Sequence, residues 1–89
     1  MIQDYVGPDG EQVTAACLEP DTFSVIAKWC FGAVVEEIHP ETGERFGALN
    51  VQCKDEVKRA SLNDYIVRGK NGFDVMKPNE FGTQHELLL

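Results

Sequence analysis

From Leu62 to Phe81 the chain meets a turn signal every few residues, which limits this region to short, locally connected pieces. Leu62-Asn63-Asp64 can reverse the chain, because asparagine tolerates positive φ better than most non-glycine residues. Tyr65-Ile66-Val67 is a strong strand core. Gly69-Lys70-Asn71-Gly72 supplies a hairpin turn, in which Asn71 and Gly72 both accept left-handed angles. Residues 73–76 run back, and Lys77-Pro78 opens a turn or one helical turn that brings Phe81 onto the core. Each piece has a structural job, and none carries a recognisable catalytic group.

Upstream, one stretch has the spacing of a helix. Glu19-Pro20-Asp21-Thr22 starts it, with Asp21 or Thr22 as the side-chain cap. Phe23, Ile26, Ala27 and Cys30 then follow the i, i+3, i+4, i+7 series of one helical face. Val25 and Trp29 widen that stripe, and Gly32 sits where a left-handed cap ends the helix. Strands are predicted over residues 12–18, 33–39, 45–53 and 57–61. The segment 33–39 pairs with 45–53 across Pro40-Glu41-Thr42-Gly43-Glu44. Tyr5-Val6 precedes a turn at Gly7-Pro8-Asp9-Gly10, and residues 1–12 can stay irregular. The end, through Leu87-Leu88-Leu89, either adds a last strand or frays. The expected fold is one α+β domain over residues 1–89: one amphipathic helix packed on a small, twisted antiparallel sheet of four to six strands. Phe23, Ile26, Trp29 and Cys30 are expected to pack on Val35, Leu49, Val51, Ile66, Val67 and Phe81.

Composition narrows the function classes. Of the 89 residues 43% are apolar, too many for a disordered chain, and no apolar run approaches the length of a membrane span. The start, Met1-Ile2-Gln3-Asp4-Tyr5, has neither a basic nor an apolar leader region, so a cytoplasmic location is expected. The net charge of −7 is uneven: residues 1–44 hold nine acids against Lys28 alone. Such a face repels duplex nucleic acid; it either attracts a basic protein, resembles a phosphate backbone, or serves only as a solvated face that keeps the protein soluble. Three widely spaced cysteines, with His39 and His85 at no ligand spacing to them, fit reduced thiols and no structural metal.

Two surfaces stand out. Glu36, Glu37, Glu41 and Glu44 make the densest carboxylate group and a candidate interaction surface. Adjacent strand residues point to opposite faces, so Glu36 and Glu37 do not readily share a cation. Lys58, Arg59, Arg68 and Lys70 form the alternative, a patch that grips a small anionic ligand or nucleotide phosphate if neighbouring strands align them. The competing reading is charge pairing with the acidic half. Asp64-Tyr65 reads as an aspartate capping its own turn beside a packed tyrosine. Gly69-Lys70-Asn71-Gly72 lacks the spacing and following helix of a phosphate loop.

The order of a helix ending in Trp29-Cys30, an acidic hairpin, Lys58-Arg59-Ala60-Ser61-Leu62-Asn63-Asp64-Tyr65-Ile66-Val67-Arg68-Gly69, then Gly72-Phe73 and Lys77-Pro78-Asn79-Glu80-Phe81 resembles the PGDYG family of small bacteriophage and prophage proteins. Asn63-Asp64-Tyr65 stands where that family has Gly-Asp-Tyr or Gly-Asp-Trp. Asp74-Val75-Met76-Lys77-Pro78 replaces its aromatic-Pro-x-Lys-Pro segment. The resemblance implies a small α+β domain of phage origin, at work in the host cytoplasm, and brings no activity, cofactor or catalytic residue with it. The expectation is a non-enzymatic accessory protein that binds a host or phage protein through the acidic hairpin and a sheet edge. Edge pairing of two copies into a homodimer is the further expectation, since so small a sheet leaves edges open.

Overall fold

Turn chemistry sets the order of the elements. The computed structural model describes residues 2–88, with Phe46 in its backbone only. Strands β1 (Gln3–Val6) and β2 (Gln12–Cys17) are followed by helix α1 (Phe23–Trp29). Then come β3 (Ala33–Ile38), β4 (Arg45–Gln52), β5 (Val57–Ala60), β6 (Tyr65–Gly69) and β7 (Gly72–Met76). Helix α2 (Pro78–Gln84) and the short β8 (Glu86–Leu87) close the chain. Met1 and Leu89, the last of the terminal leucines, lie outside the described residues.

The fold is α+β as expected, but the strands divide into two antiparallel sheets instead of one. The larger has the order β7-β6-β2-β1-β8, and the smaller is the meander β3-β4-β5. A parallel bridge between Cys53 and Phe73 joins them. The N-terminal residues form β1, paired to both β2 and β8. No helix among the described residues is long and apolar enough to cross a membrane.

Glycine and asparagine take the left-handed angles that the turns require, at Gly10, Gly43, Gly72 and Asn63. The 69–72 hairpin differs in one detail. Only Gly72 has positive φ there, so Asn71 does not take the left-handed angle expected of it. Helix α1 also departs from expectation at both ends. Neither candidate cap bonds the first turn; the Thr22 hydroxyl accepts the Glu19 N–H at 3.2 Å and faces the Cys17 carbonyl at 3.3 Å. At the other end Gly32 N–H donates to Ala27 O at 2.9 Å and Phe31 N–H to Lys28 O at 3.4 Å, a Schellman closure. The left-handed residue is therefore Phe31, with φ 55°, and its side chain is 87% exposed. Gly32 is needed for room: a Cβ on it would sit 3.1 Å from Cys30 Sγ.

Strand parity splits the core in two. Ile26 of α1 and Cys30 at its C-terminal cap pack with Leu49, Val51 and Ala60 of the small sheet and Ala16 and Ile66 of the large one. Trp29 is half-buried against this cluster, edge-on to Phe73 with ring centroids 5.2 Å apart. Val25, expected to widen the buried stripe, is exposed. Val67 follows Ile66 and so points to the opposite face of the large sheet, where it meets Val13, Ala15 and Phe81 in a second cluster under α2. Phe81 stacks on Tyr65 at 4.1 Å and on His85 at 4.5 Å, with Tyr5 edge-on at 4.9 Å. The single core expected to hold both Trp29 and Phe81 is thus two cores on opposite faces of one sheet. Val35 belongs to neither.

Candidate functional site

The β3–β4 hairpin gathers the acidic residues. Its six Cα pairs run without a break from Ala33↔Asn50 to Ile38↔Arg45, so successive side chains alternate strictly between two faces. Val34, Glu36 and Ile38 share one face. Val35 and Glu37 share the other. Val34 is 62% and Ile38 63% exposed, which leaves two apolar side chains in solvent on either side of Glu36. Arg45 Nη1 comes within 3.9 Å of Glu36 Oε2, a loose pair between exposed groups. On the opposite face Arg59 Nη1 lies 3.5 Å from Glu37 Oε1, and Arg59 Nε donates to Asn50 Oδ1 at 3.3 Å.

The connecting turn is held by His39. Its backbone N–H donates to Glu44 O at 2.8 Å, and its ring Nδ1 accepts the N–H groups of Glu41 (3.2 Å) and Thr42 (3.4 Å). Gly43 takes φ 72°. Both carboxylates of the turn, Glu41 and Glu44, are exposed. The four glutamates therefore do not converge: Glu36, Glu41 and Glu44 are exposed, Glu36 at the rim of the face that carries buried Leu49, and Glu37 is turned to the other face.

Strand β3 also has an open flank. Among the described residues it is hydrogen-bonded to β4 only. In an antiparallel ladder every second residue exchanges hydrogen bonds with the partner, and those between direct their N–H and C=O groups away from it. The bond from His39 to Glu44 fixes this phase, so Ala33, Val35 and Glu37 bond β4 while Val34, Glu36 and Ile38 face outward. The bond from Cys53 N–H to Glu56 O sets the same phase on the far side of β4, where odd-numbered residues bond β5.

The basic residues are dispersed. Lys58 Nζ donates to Asp74 Oδ1 at 2.7 Å, and this bond raises the pKa of the amine. Arg59, next in β5, projects from the opposite face towards Glu37. The Arg68 guanidinium lies 6.0 Å from the Phe73 ring centroid. The Lys70 backbone N–H donates to Glu11 Oε1 at 3.4 Å. Lys58 and Lys70 line a cleft of about 510 Å³, but Glu11, Glu56 and Asp74 line it too, so it has no positive bias.

The remaining motifs are structural. Asp64 is 3% exposed; its carboxylate accepts the Ser61 N–H at 2.9 Å and pairs with Lys77 Nζ at 3.1 Å. Tyr65 packs into the second core. Cys17, Cys30 and Cys53 are free, and burial is the main cause that pushes each thiol pKa up, away from the reactive thiolate. His85 stacks on Phe81 and His39 is engaged in its turn.

Sequence reasoning placed the acidic hairpin but not Val34, Ile38 and Phe31, the apolar groups beside it. Both faces of 33–38 carry one glutamate and at least one valine, so side-chain alternation alone could not say which face meets the core. Compared with family models, with curated proteins and with solved structures, the chain matches none.

Proposed function

We propose that this chain is a small accessory protein, of phage or prophage origin and at work in the host cytoplasm, that acts by binding. It engages a protein of the host or phage through the acidic β3–β4 hairpin and the open flank of β3. One observation carries the reading: a regular, unpaired strand edge bears exposed Val34 and Ile38 with Glu36 between them and two more carboxylates at the adjoining turn. Soluble proteins usually blunt long edges with charged side chains, proline or a bulge. Strand β3 has no proline and no bulge, and Glu36 is the one charge among its outward-facing residues. The phage origin rests on the resemblance of residues 17–81 to the PGDYG family.

Immobilised wild-type chain and the charge-reversed variant E36K/E41K/E44K should be compared as bait in bacterial lysate at low ionic strength, which preserves contacts between exposed charges. The expected result is a defined set of proteins held by the wild type and lost by the variant. Identical recovery on both baits, or none on either, would reject a hairpin binding surface.

A further inference from the structure

Building on the binding role proposed above, we infer that β3 binds by strand addition, and that its partner is an extended basic segment reading apolar-x-basic-x-apolar. The outward N–H and C=O groups belong to Val34, Glu36 and Ile38, the same three residues whose exposed side chains lie on one face at the rim of the sheet. A segment added antiparallel to this edge exchanges hydrogen bonds with these three, and its residue opposite each one projects to the same face. Opposite Glu36 a lysine or arginine is favoured, and opposite Val34 and Ile38 an apolar side chain. Glu41 and Glu44 add a negative field at one end, which speeds the encounter with a basic chain.

The same geometry disfavours a second copy as the occupant. Two β3 edges can pair symmetrically over their full length in one register only, with Val34 against Ile38 and Glu36 against Glu36. Like charges directly opposed destabilise a strand pair. A register shifted by two residues removes that clash but forfeits one of the three residue pairs and sets Glu36 against an apolar neighbour. Glu36 thus opposes self-association and selects a basic partner with one carboxylate. Elsewhere among the described residues no exposed strand has the required pattern: two positions from Lys58 stands Glu56 and two from Arg59 stands Ser61, and Arg68 is within β6 between β2 and β7.

Fluorescence anisotropy with a labelled Ser-Val-Thr-Arg-Thr-Ile-Ser peptide tests this, with Ser-Val-Thr-Glu-Thr-Ile-Ser as its control. Wild type should favour the arginine peptide by about tenfold, and E36K should reverse the preference. Amide exchange by NMR supplies the geometric readout: the peptide should slow exchange at Val34, Glu36 and Ile38. Val34→Pro removes one outward N–H without touching a β3–β4 bond, so it should weaken the peptide while the melting temperature holds. Equal affinity for both peptides, or binding with no new protection at those three amides, would overturn strand addition. So would a concentration-dependent dimer blocked by V34P, which would make the second copy the occupant. If lysate proteins lost by E36K/E41K/E44K are still retained by V34P, the hairpin reading stands and strand addition falls. Peptide binding as described, with no lysate protein captured, leaves strand addition standing and removes the proposed cellular role.

Discussion

Asp64 shows how one side chain can hold three segments in register. Asn63 takes φ 77° at the third position of the 61–64 turn, the angle that a type II turn demands there. Asp64 closes this turn twice, its N–H donating to Ser61 O at 3.1 Å and its carboxylate accepting the Ser61 N–H. The same turn bonds both backbone groups of Leu18, and Lys77 reaches the carboxylate from the start of α2. Asp64→Ala leaves the Ser61 N–H without its acceptor, so it should lower stability by about 1–3 kcal/mol. Lys77→Met should cost less, because Lys77 is 66% exposed and water screens its half of the pair. Urea midpoints of the two variants rank them, and a larger loss for Lys77→Met would show that the ion pair, and not the turn bond, is the stabilising contact.

At the level of elements, each helix depends on a different core. Helix α2 has seven residues, too few to persist alone, and Phe81 is its one buried side chain. Phe81→Ala removes the ring between Tyr65 and His85 and should cost about 3–5 kcal/mol. The loss should be local first: amides of α2, β8 and the β1 edge should exchange faster than those of β4, which belongs to the first core. Uniform acceleration would mean that the two clusters unfold as one. This division was only partly legible in the chain. Turn formers act locally, so Gly10, Gly43, Gly72, Asn63 and Pro78 punctuated it correctly, and the 23-26-27-30 face of α1 followed from a 3.6-residue period. Partner choice between strands is not local. Nothing within 12–17 says that β2 pairs with β6, or that β3-β4-β5 forms its own sheet. Parity was ambiguous for the same reason, since Val34-Val35 and Ile66-Val67 each place an apolar residue on both faces. The binding edge inherits that ambiguity: its charge was legible, its exposed apolar residues were not.

Over the whole molecule, five groups tie stability to pH in one direction. Burial raises the thiol pKa of Cys17, Cys30 and Cys53 and the phenol pKa of Tyr65, while the hydrogen bond to Asp74 raises that of Lys58. A group held above its unfolded pKa contributes in full below the unfolded value. As pH rises past that value the unfolded chain releases its proton first, binds fewer protons than the native state, and is thereby favoured. The thiols set the onset, at about pH 8.5, with the tyrosine and lysine contributions fading from about pH 10. The urea midpoint should therefore decline progressively above about pH 8.5. Cys17→Ser should flatten the first part of the decline, because the substituted group does not titrate there. A midpoint that stays level to about pH 10.5 would mean that the thiols are as free to ionise in the native state as in the unfolded chain, contrary to their burial in the structure.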